Sequence, residues 1–209
     1  QLSLHFSLYL VDLPGFGESA PLENYSLATI TDAVKQVVPE NAIWCGWSLG
    51  GLIATYAALH FPQRVKKLIQ VASSLKFVAD KNWPGVEGSV FESFLSGLQN
   101  NSKKTLTRFI SLQAMGCATA RQDSATFKKL LSDNKEADYN ALVAGLRLLS
   151  DSDLRTIYPT LTCECLSLFG QSDSLVPAET MQKMSKLLPV AQSQCFEHSS
   201  HAPFMSEQD

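Results

Sequence analysis

Short apolar runs alternate with amphipathic patterns near the start of the chain. Residues 6–11, 42–45 and 68–71 have the length and composition of buried strands. Ser26 precedes apolar residues spaced three or four positions apart, which predicts a helix beginning after it, and a second helix is predicted from Leu49. Strands that alternate with helices predict a parallel sheet with right-handed crossovers.

The middle of the chain lacks this alternation and shows only helical spacing. It resumes with a strand, a helix and a strand at residues 163–169, 178–188 and 191–196. We therefore expect an α/β fold in which residues 1–74 and 160–209 form one core. Residues 75–159 are expected to form a helical insertion, called the lid below.

The composition of the chain argues against several classes of function. The chain has 209 residues, of which 45% are hydrophobic and 18% charged, as expected for one globular domain. A net charge of −3 gives no reason to expect nucleic-acid binding, and no run reaches the roughly 18 apolar residues of a membrane span. The five cysteines form no Cys-x-x-Cys pair, which argues against a disulfide framework or a metal site. We expect a cytoplasmic monomer.

A candidate nucleophile lies at residues 46–50, which read Gly-Trp-Ser-Leu-Gly. The motif sits between a predicted strand and a predicted helix, where a nucleophile elbow exposes its serine, here Ser48. We expect glycine at positions 46 and 50 because side chains there would collide with the strand and the helix. The backbone N–H of Leu49 would donate to an oxyanion at the helix N-terminus. A structural Gly-rich turn is the alternative.

The base is expected among four histidines. In elbow hydrolases the order along the chain is Ser, Asp or Glu, then His. His5 precedes Ser48 in a predicted strand, and His60 ends the helix after the elbow. His198 and His201 remain, and we favour His201 because it lies further from the last strand, where a loop can fold back over the elbow.

The acid is expected at the carboxyl end of a strand. Asp173 follows the strand at 163–169, at the edge where parallel sheets gather their sites. Asp151 and Asp153 compete with it but lie in the lid. The turn at residues 12–19 also follows a predicted strand, and we interpret it as a rigid support for the site.

The lid is basic. Between residues 100 and 130 the net charge is +5, which leaves −8 for the rest of the chain. Such a lid would attract an acidic partner, although an ordinary solvated helix face is the alternative. The basic residues of this segment are Lys103, Lys104, Arg108, Arg121, Lys128 and Lys129.

Together these motifs resemble the α/β-hydrolase superfamily and, within it, the BioH-type carboxylesterases, which hydrolyse the methyl ester of pimeloyl-acyl-carrier protein in biotin synthesis. The resemblance runs nearly end to end. Its most specific part is the lid, which contains Arg-Phe, Leu-Gln, Met-Gly and Thr-Ala-Arg-Gln-Asp segments that resemble those of the family. The matching segments are 10–17, 46–51, 71–74, 108–123, 175–177 and 201–204.

The resemblance implies that Ser48, Asp173 and His201 form a catalytic triad, without a metal or an organic cofactor. The substrate would contact Ser48, Leu49 and His201. An acyl channel under the lid would be lined by Phe109, Ile110, Ser111, Leu112 and Gln113.

The resemblance also implies a basic surface for an acyl carrier protein. The docking residues would be Lys104, Arg108 and Arg121, while a fourth basic position falls on Ala125 and leaves Lys128 and Lys129 to compensate. The family has an earlier His-Gly loop, which supplies the second oxyanion donor, and a helix after the catalytic histidine. We therefore expect the sequence to be a fragment that lacks both.

Two other functions fit the residues less well. One is a broad short-chain carboxylesterase or a carbon–carbon bond hydrolase of the same fold, which a strong preference for free short esters over carrier-linked ones would favour. A non-catalytic binding protein on the same scaffold would not need an intact Ser, Asp and His set.

Overall fold

A parallel sheet of four strands, in the order β1-β2-β3-β4, forms the centre of residues 2–207, which the computed structural model describes. Every neighbouring pair of strands is parallel, as the alternating pattern predicts. The strands are β1 Ala42–Trp47, β2 Val65–Val71, β3 Glu164–Gly170 and β4 Gln192–Phe196.

Helices connect these strands and form the middle of the chain. They are α1 Leu27–Val37, α2 Leu49–His60, α3 Gly88–Gln113, α4 Ala120–Asp133, α5 Tyr139–Asp151, α6 Glu179–Leu187 and α7 Pro203–Ser206, with short 3-10 turns at Leu2–Leu4 and Tyr158–Thr160. None of the helices described is long and apolar enough to cross a membrane.

Helix α1 begins where its sequence predicts. The Ser26 hydroxyl accepts from the backbone N–H of Thr29 at 3.1 Å, while the Thr29 hydroxyl accepts from the Ser26 N–H at 2.9 Å. This reciprocal cap satisfies two N–H groups that the first turn leaves without partners. The apolar positions Leu27, Ile30 and Val34 are buried, so the predicted helical face packs on the core.

A polar network lies inside the core between α2 and the sheet. The Gln70 side chain donates to the Thr55 hydroxyl at 2.6 Å and accepts from the Ser167 hydroxyl at 2.7 Å. Thr55 in turn donates to the backbone carbonyl of Gly51 at 2.6 Å, in the first turn of α2. Gln70 is 1% exposed, so these bonds replace water that the core excludes.

The predicted strand at residues 6–11 is wrong. Residues 2–4 form a 3-10 turn, and the N–H groups of His5 and Phe6 both bond to the carbonyl of Leu2 at 3.0 Å. The segment that follows pairs with no strand in the described chain, and Leu10 is 93% exposed. An apolar run forms a strand only beside a partner that completes its hydrogen bonds, and the pattern alone does not reveal the partner.

The lid has a break in its longest helix. Asn101 leaves helical geometry (φ −161°, ψ 91°) inside α3, and its side-chain oxygen accepts from the N–H of Lys104 at 2.9 Å. Asn101 therefore caps a second helical half, which carries the lid residues that the sequence singles out. Before α3, residues 75–87 form no helix and contain two isolated bridges.

The turn at residues 12–19 packs against the lid. Gly15 has φ +83°, and its carbonyl accepts from the N–H of Asp138 at 2.8 Å, at the start of α5. Asp12 holds the turn closed, because its side chain accepts from the N–H of Glu18 at 3.2 Å. The turn thus supports the entry to α5 and makes no hydrogen bond to Ser48, Asp173 or His201.

Candidate active site

Ser48 occupies a strained turn between β1 and α2. Its backbone has φ 54° and ψ −117°, a region that non-glycine residues rarely adopt. Its N–H donates to the carbonyl of Val71 at 2.9 Å, and its carbonyl accepts from the Ser73 hydroxyl at 2.8 Å. The turn is therefore held in place by the carboxyl end of β2.

The glycines around Ser48 have different reasons to be small. A Cβ on Gly46 would overlap the backbone carbonyl of Gly50, and one on Gly51 would come within 2.5 Å of the Ser73 Cβ. A Cβ on Gly50 would meet no atom within 4 Å. The prediction that Gly50 avoids a collision is therefore wrong for the described chain, because the crowding falls on the next residue, which faces β2.

Asp173 and His201 are hydrogen-bonded in the core. Nδ1 of His201 lies 2.8 Å from one carboxylate oxygen of Asp173. The other oxygen accepts from the backbone N–H groups of Leu175 and Val176, at 2.8 and 3.0 Å. The exposed fraction is 5% for Asp173 and 0% for His201, so the pair is shielded from water. These bonds fix the carboxylate and hold the imidazole with its proton on Nδ1.

The other ring nitrogen of His201 is available to accept a proton. Its Nε2 is buried and makes no hydrogen bond to any residue in the described range. Its ring lies 5.6 Å from the ring of Trp47, the residue before Ser48. Hydrogen bonds between a nucleophile and its base are often long before substrate binds, so this arrangement is compatible with a general base.

The backbone N–H of Leu49 lies at the start of α2. The first N–H groups of a helix have no acceptor within it and carry a partial positive charge. This places one donor directly after Ser48, suited to an oxygen that becomes negatively charged during a reaction.

Trp47 was not predicted to contact His201. Its indole N–H donates to the backbone carbonyl of His201 at 2.6 Å, across 154 positions of sequence. Its ring stacks on Phe127 of α4, with centroids 5.8 Å apart and planes 6° from parallel, and meets Phe204 edge-on at 5.3 Å. No sequence signal reveals this role, because the position between glycine and serine in the motif accepts any residue.

The alternatives to Asp173 and His201 lie apart from them. His198 is exposed, and its backbone N–H donates to the Glu207 side chain at 3.0 Å. Asp153 forms an ion pair with Arg155 at 2.6 Å, and this contact lowers the pKa of Asp153. Asp151 is exposed at the end of α5.

The predicted channel residues take different positions along α3. Phe109 packs edge-on against Phe94 at 5.2 Å and contacts the core. Gln113 is buried, and its carbonyl accepts from the N–H of His201 at 3.1 Å. Ser111 lines an outer groove, while Ile110 and Leu112 are half-buried. The acyl channel remains a prediction.

The predicted docking residues line two surface depressions. One has a volume of about 620 Å³ and contains Lys104 and Arg108, and the other, of about 440 Å³, contains Arg121 beside Ala125. All six basic residues between positions 100 and 130 are exposed, and none forms an ion pair within the described range. Asp123 is buried and bonded to the Thr119 hydroxyl at 2.6 Å, and within the described range it forms no ion pair with these cations.

Other reactive groups are less suited to catalysis. All five cysteines are free thiols, and burial raises the pKa of Cys163 and Cys165, which keeps both protonated and weakly nucleophilic. Across residues 2–207, no group of three or more His, Cys, Asp or Glu side chains could hold a metal ion.

Comparison with known proteins places the chain in a family. The model of the α/β-hydrolase fold family matches residues 1–208. The chain is 44% identical over 207 residues to the pimeloyl-[acyl-carrier protein] methyl ester esterase of Vibrio vulnificus (strain CMCP6), covering 99% of this chain and 81% of the relative. It is 45% identical over 208 residues to the protein of the same name from Vibrio parahaemolyticus, covering 100% and 82%.

Solved structures show the same fold. The esterase EaEST from Exiguobacterium antarcticum superposes with a TM-score of 0.81 at 24% identity, covering 94% of this chain and 75% of that one. An enol-lactonase from Burkholderia xenovorans superposes with a TM-score of 0.76 at 16% identity, covering 92% and 73%. With the strand–Ser48–helix elbow, the family match and the two relatives in agreement, the chain belongs to the α/β-hydrolase fold family and, within it, to the pimeloyl-[acyl-carrier protein] methyl ester esterases.

Proposed function

We propose that this protein hydrolyses the methyl ester of pimeloyl-acyl-carrier protein, through an acyl-enzyme on Ser48. The observation that carries the proposal is the buried 2.8 Å contact between His201 Nδ1 and Asp173, in a chain 44% identical over almost its whole length to an esterase of that name. An ester hydrolase needs a nucleophile, a base and a group that orients the base, and Ser48, His201 and Asp173 supply these types in the family's order.

In the first half-reaction His201 Nε2 takes the proton from the Ser48 hydroxyl as its oxygen attacks the ester carbonyl. The imidazolium that forms is stabilised by Asp173, whose second oxygen is already occupied by two backbone N–H groups. The N–H of Leu49 donates to the tetrahedral oxyanion. Collapse breaks the bond to the methoxy oxygen, which takes the proton from His201 and leaves as methanol.

In the second half-reaction water attacks the acyl-enzyme. His201 accepts a proton from the water and returns it to the Ser48 oxygen, which releases pimeloyl-carrier protein with a free carboxylate. The protein ends in its starting protonation state, and the proposed cycle uses only the ester, water and groups of the protein.

The basic face of the lid supports recognition of an acidic carrier. Six exposed cationic side chains without ion-pair partners in the described chain give α3 and α4 a field that attracts negative charge. We propose that Lys104, Arg108 and Arg121 receive the carrier, and that Phe109 and Gln113 line part of the path for the acyl chain. Free thiols throughout are consistent with a cytoplasmic enzyme, which we propose acts as a monomer.

The decisive experiment measures methanol release from pimeloyl-carrier methyl ester with three variants, Ser48→Ala, Asp173→Asn and His201→Ala. Loss of any triad member lowers turnover by about 10⁴-fold or more. The matched control is His198→Ala, which alters an exposed histidine three positions from His201 and keeps full activity. Full activity in Ser48→Ala would overturn the mechanism.

A second measurement separates the substrate classes. The wild-type kcat/KM is compared for the carrier-linked methyl ester and for a free short-chain methyl ester. A preference for the carrier-linked substrate supports the proposal, whereas a preference for the free ester indicates a broad carboxylesterase instead.

A further inference from the structure

His201 is held through its peptide backbone as well as through its side chain. Its N–H donates to the carbonyl of Gln113 at the end of α3, at 3.1 Å, and its carbonyl accepts from the indole of Trp47 at 2.6 Å. The preceding Ser200 hydroxyl donates to the carbonyl of Met115 at 2.7 Å. The loop that carries the base is therefore bonded to both the lid and the elbow.

The Trp47 contact also reaches a second lid helix. The indole lies almost parallel to Phe127 of α4, at 5.8 Å between centroids, and Phe127 is 9% exposed. Offset stacked rings of this kind resist displacement of either partner. Any shift of α4 therefore acts on the same indole that holds the carbonyl of His201.

The hydrogen bond from Trp47 to the His201 carbonyl matters because no solvent is available to replace it. The residue is 0% exposed, so water cannot replace a lost indole donor. The imidazole must satisfy Asp173 on one side and reach the Ser48 hydroxyl on the other, and small displacements of a base cost turnover steeply.

We propose that Trp47 is a positioning residue that couples the placement of His201 to the lid helix α4 through Phe127. This inference rests on the proposed role of His201 as the base. Trp47 acts through His201, by its indole N–H, and not by contact with the reacting atoms. In this arrangement the position of α4 affects kcat, because it affects where His201 lies.

The test uses Trp47→Phe, which keeps an aromatic ring that can face Phe127 and removes the indole N–H donor together with part of the ring. The matched control is Trp44→Phe on the same strand, because the indole N–H of Trp44 is buried and makes no hydrogen bond within residues 2–207. Hydrolysis of a free p-nitrophenyl ester is measured, so that carrier docking does not enter.

We expect Trp47→Phe to lower kcat by roughly 5- to 50-fold, the loss of one buried hydrogen bond, with KM changed less than about twofold. The low-field proton resonance of the His201 Nδ1–H, which reports its bond to Asp173, shifts or broadens in this variant and stays unchanged in Trp44→Phe. Labelling of Ser48 by a fluorophosphonate slows by a similar factor.

Phe127→Leu provides a second variant, which alters the α4 side of the contact and leaves the indole N–H in place. We expect a smaller fall in kcat and a change in the same resonance. Wild-type kcat and an unchanged resonance in Trp47→Phe would overturn the proposal, and the same result in Phe127→Leu would overturn the link to α4. Ser48→Ala and His201→Ala are assayed alongside: if they lose activity while Trp47→Phe does not, the inference fails and the proposed function stands.

Discussion

The hydroxyl of Ser73 donates to the backbone carbonyl of Ser48 at 2.8 Å and joins the elbow to the strand beside it. Ser73 is 1% exposed, and its Cβ also lies where a side chain on Gly51 would have to go. Ser73, which lies outside the motif, thus both supports the elbow and limits the space beside Gly51.

Removing the hydrogen bond from Ser73 should lower the stability of the fold. We expect Ser73→Ala to lower the free energy of unfolding by about 1 kcal/mol, since the Ser48 carbonyl keeps its bond from the N–H of Leu52. Urea denaturation measures the change. Ser132→Ala, at an exposed helix end, serves as the control and should stay within about 0.5 kcal/mol of wild type. Equal stability of the two variants would contradict the prediction.

The two motif glycines should respond differently to alanine. In Gly46→Ala the new methyl group overlaps backbone atoms of the first turn of α2, so we expect a loss of about 3 kcal/mol or more, or no folded protein. In Gly50→Ala the methyl group meets open space inside a helix, and stability should be unchanged or rise by up to about 1 kcal/mol. Thermal unfolding of this chain compares them, and similar losses in both would be the contrary result.

Gln70 should be required for core stability. Gln70→Leu removes the acceptor of the buried Ser167 hydroxyl and the donor to the buried Thr55 hydroxyl, which keeps only its bond to the Gly51 carbonyl, and we expect a loss of roughly 2–4 kcal/mol in the free energy of unfolding. The control is Gln192→Leu on β4, where the side chain is exposed. The interpretation of the network fails if the two variants are equally stable.

Ion pairs at the base of the lid should make stability depend on pH. Lys76 lies 2.8 Å and Arg155 3.0 Å from the Asp80 carboxylate, and the hydrogen bond from Lys76 is the largest cause that holds the pKa of Asp80 well below its usual range. A lowered carboxyl pKa stabilises the fold above the ordinary value of about 4, and this contribution is lost as the pH falls through the folded-state value.

The variant Asp80→Asn tests this dependence. Its melting temperature should lie below that of wild type at pH 7, and the difference should shrink as the pH falls from about 4 towards 2. Glu40→Gln removes the partner of Arg64 at an exposed site and should show less pH dependence. A constant difference between wild type and Asp80→Asn across this range would contradict the assignment.

Charge on the lid should affect only the carrier-linked substrate. We expect Lys104→Glu combined with Arg108→Glu to raise KM for the carrier-linked ester by roughly 10-fold at low salt, and less at high salt. The kcat/KM for a free ester should not change. The control is Lys183→Glu combined with Lys186→Glu on α6, which changes the net charge of the protein by the same amount. Equal effects of both pairs would show that net charge matters and that the lid face does not.

Local sequence patterns predicted most of the fold. The cap at Ser26 and the strand–turn–helix around Ser48 were predictable because the interactions that form them span a few residues. The pairing of Asp173 with His201 was also predictable, because both follow strands whose carboxyl ends meet at one edge of the sheet.

Features that depend on distant partners were not predictable. The bond between Trp47 and His201 joins residues far apart in sequence, and nothing around Trp47 indicates it. The apolar run at 6–11 has a strand's composition but no strand partner in the described chain. The break at Asn101 and the freedom around Gly50 depend on packing geometry that spacing does not encode.

The backbone of Ser48 has φ 54°, which serine tolerates less well than glycine. A residue held in such a region costs about 1 kcal/mol or more, so Ser48→Gly should unfold at a higher temperature than the wild-type protein while it loses its hydrolase activity. Selection for stability alone would therefore favour glycine at this position, and the serine found there is what the proposed role as nucleophile requires.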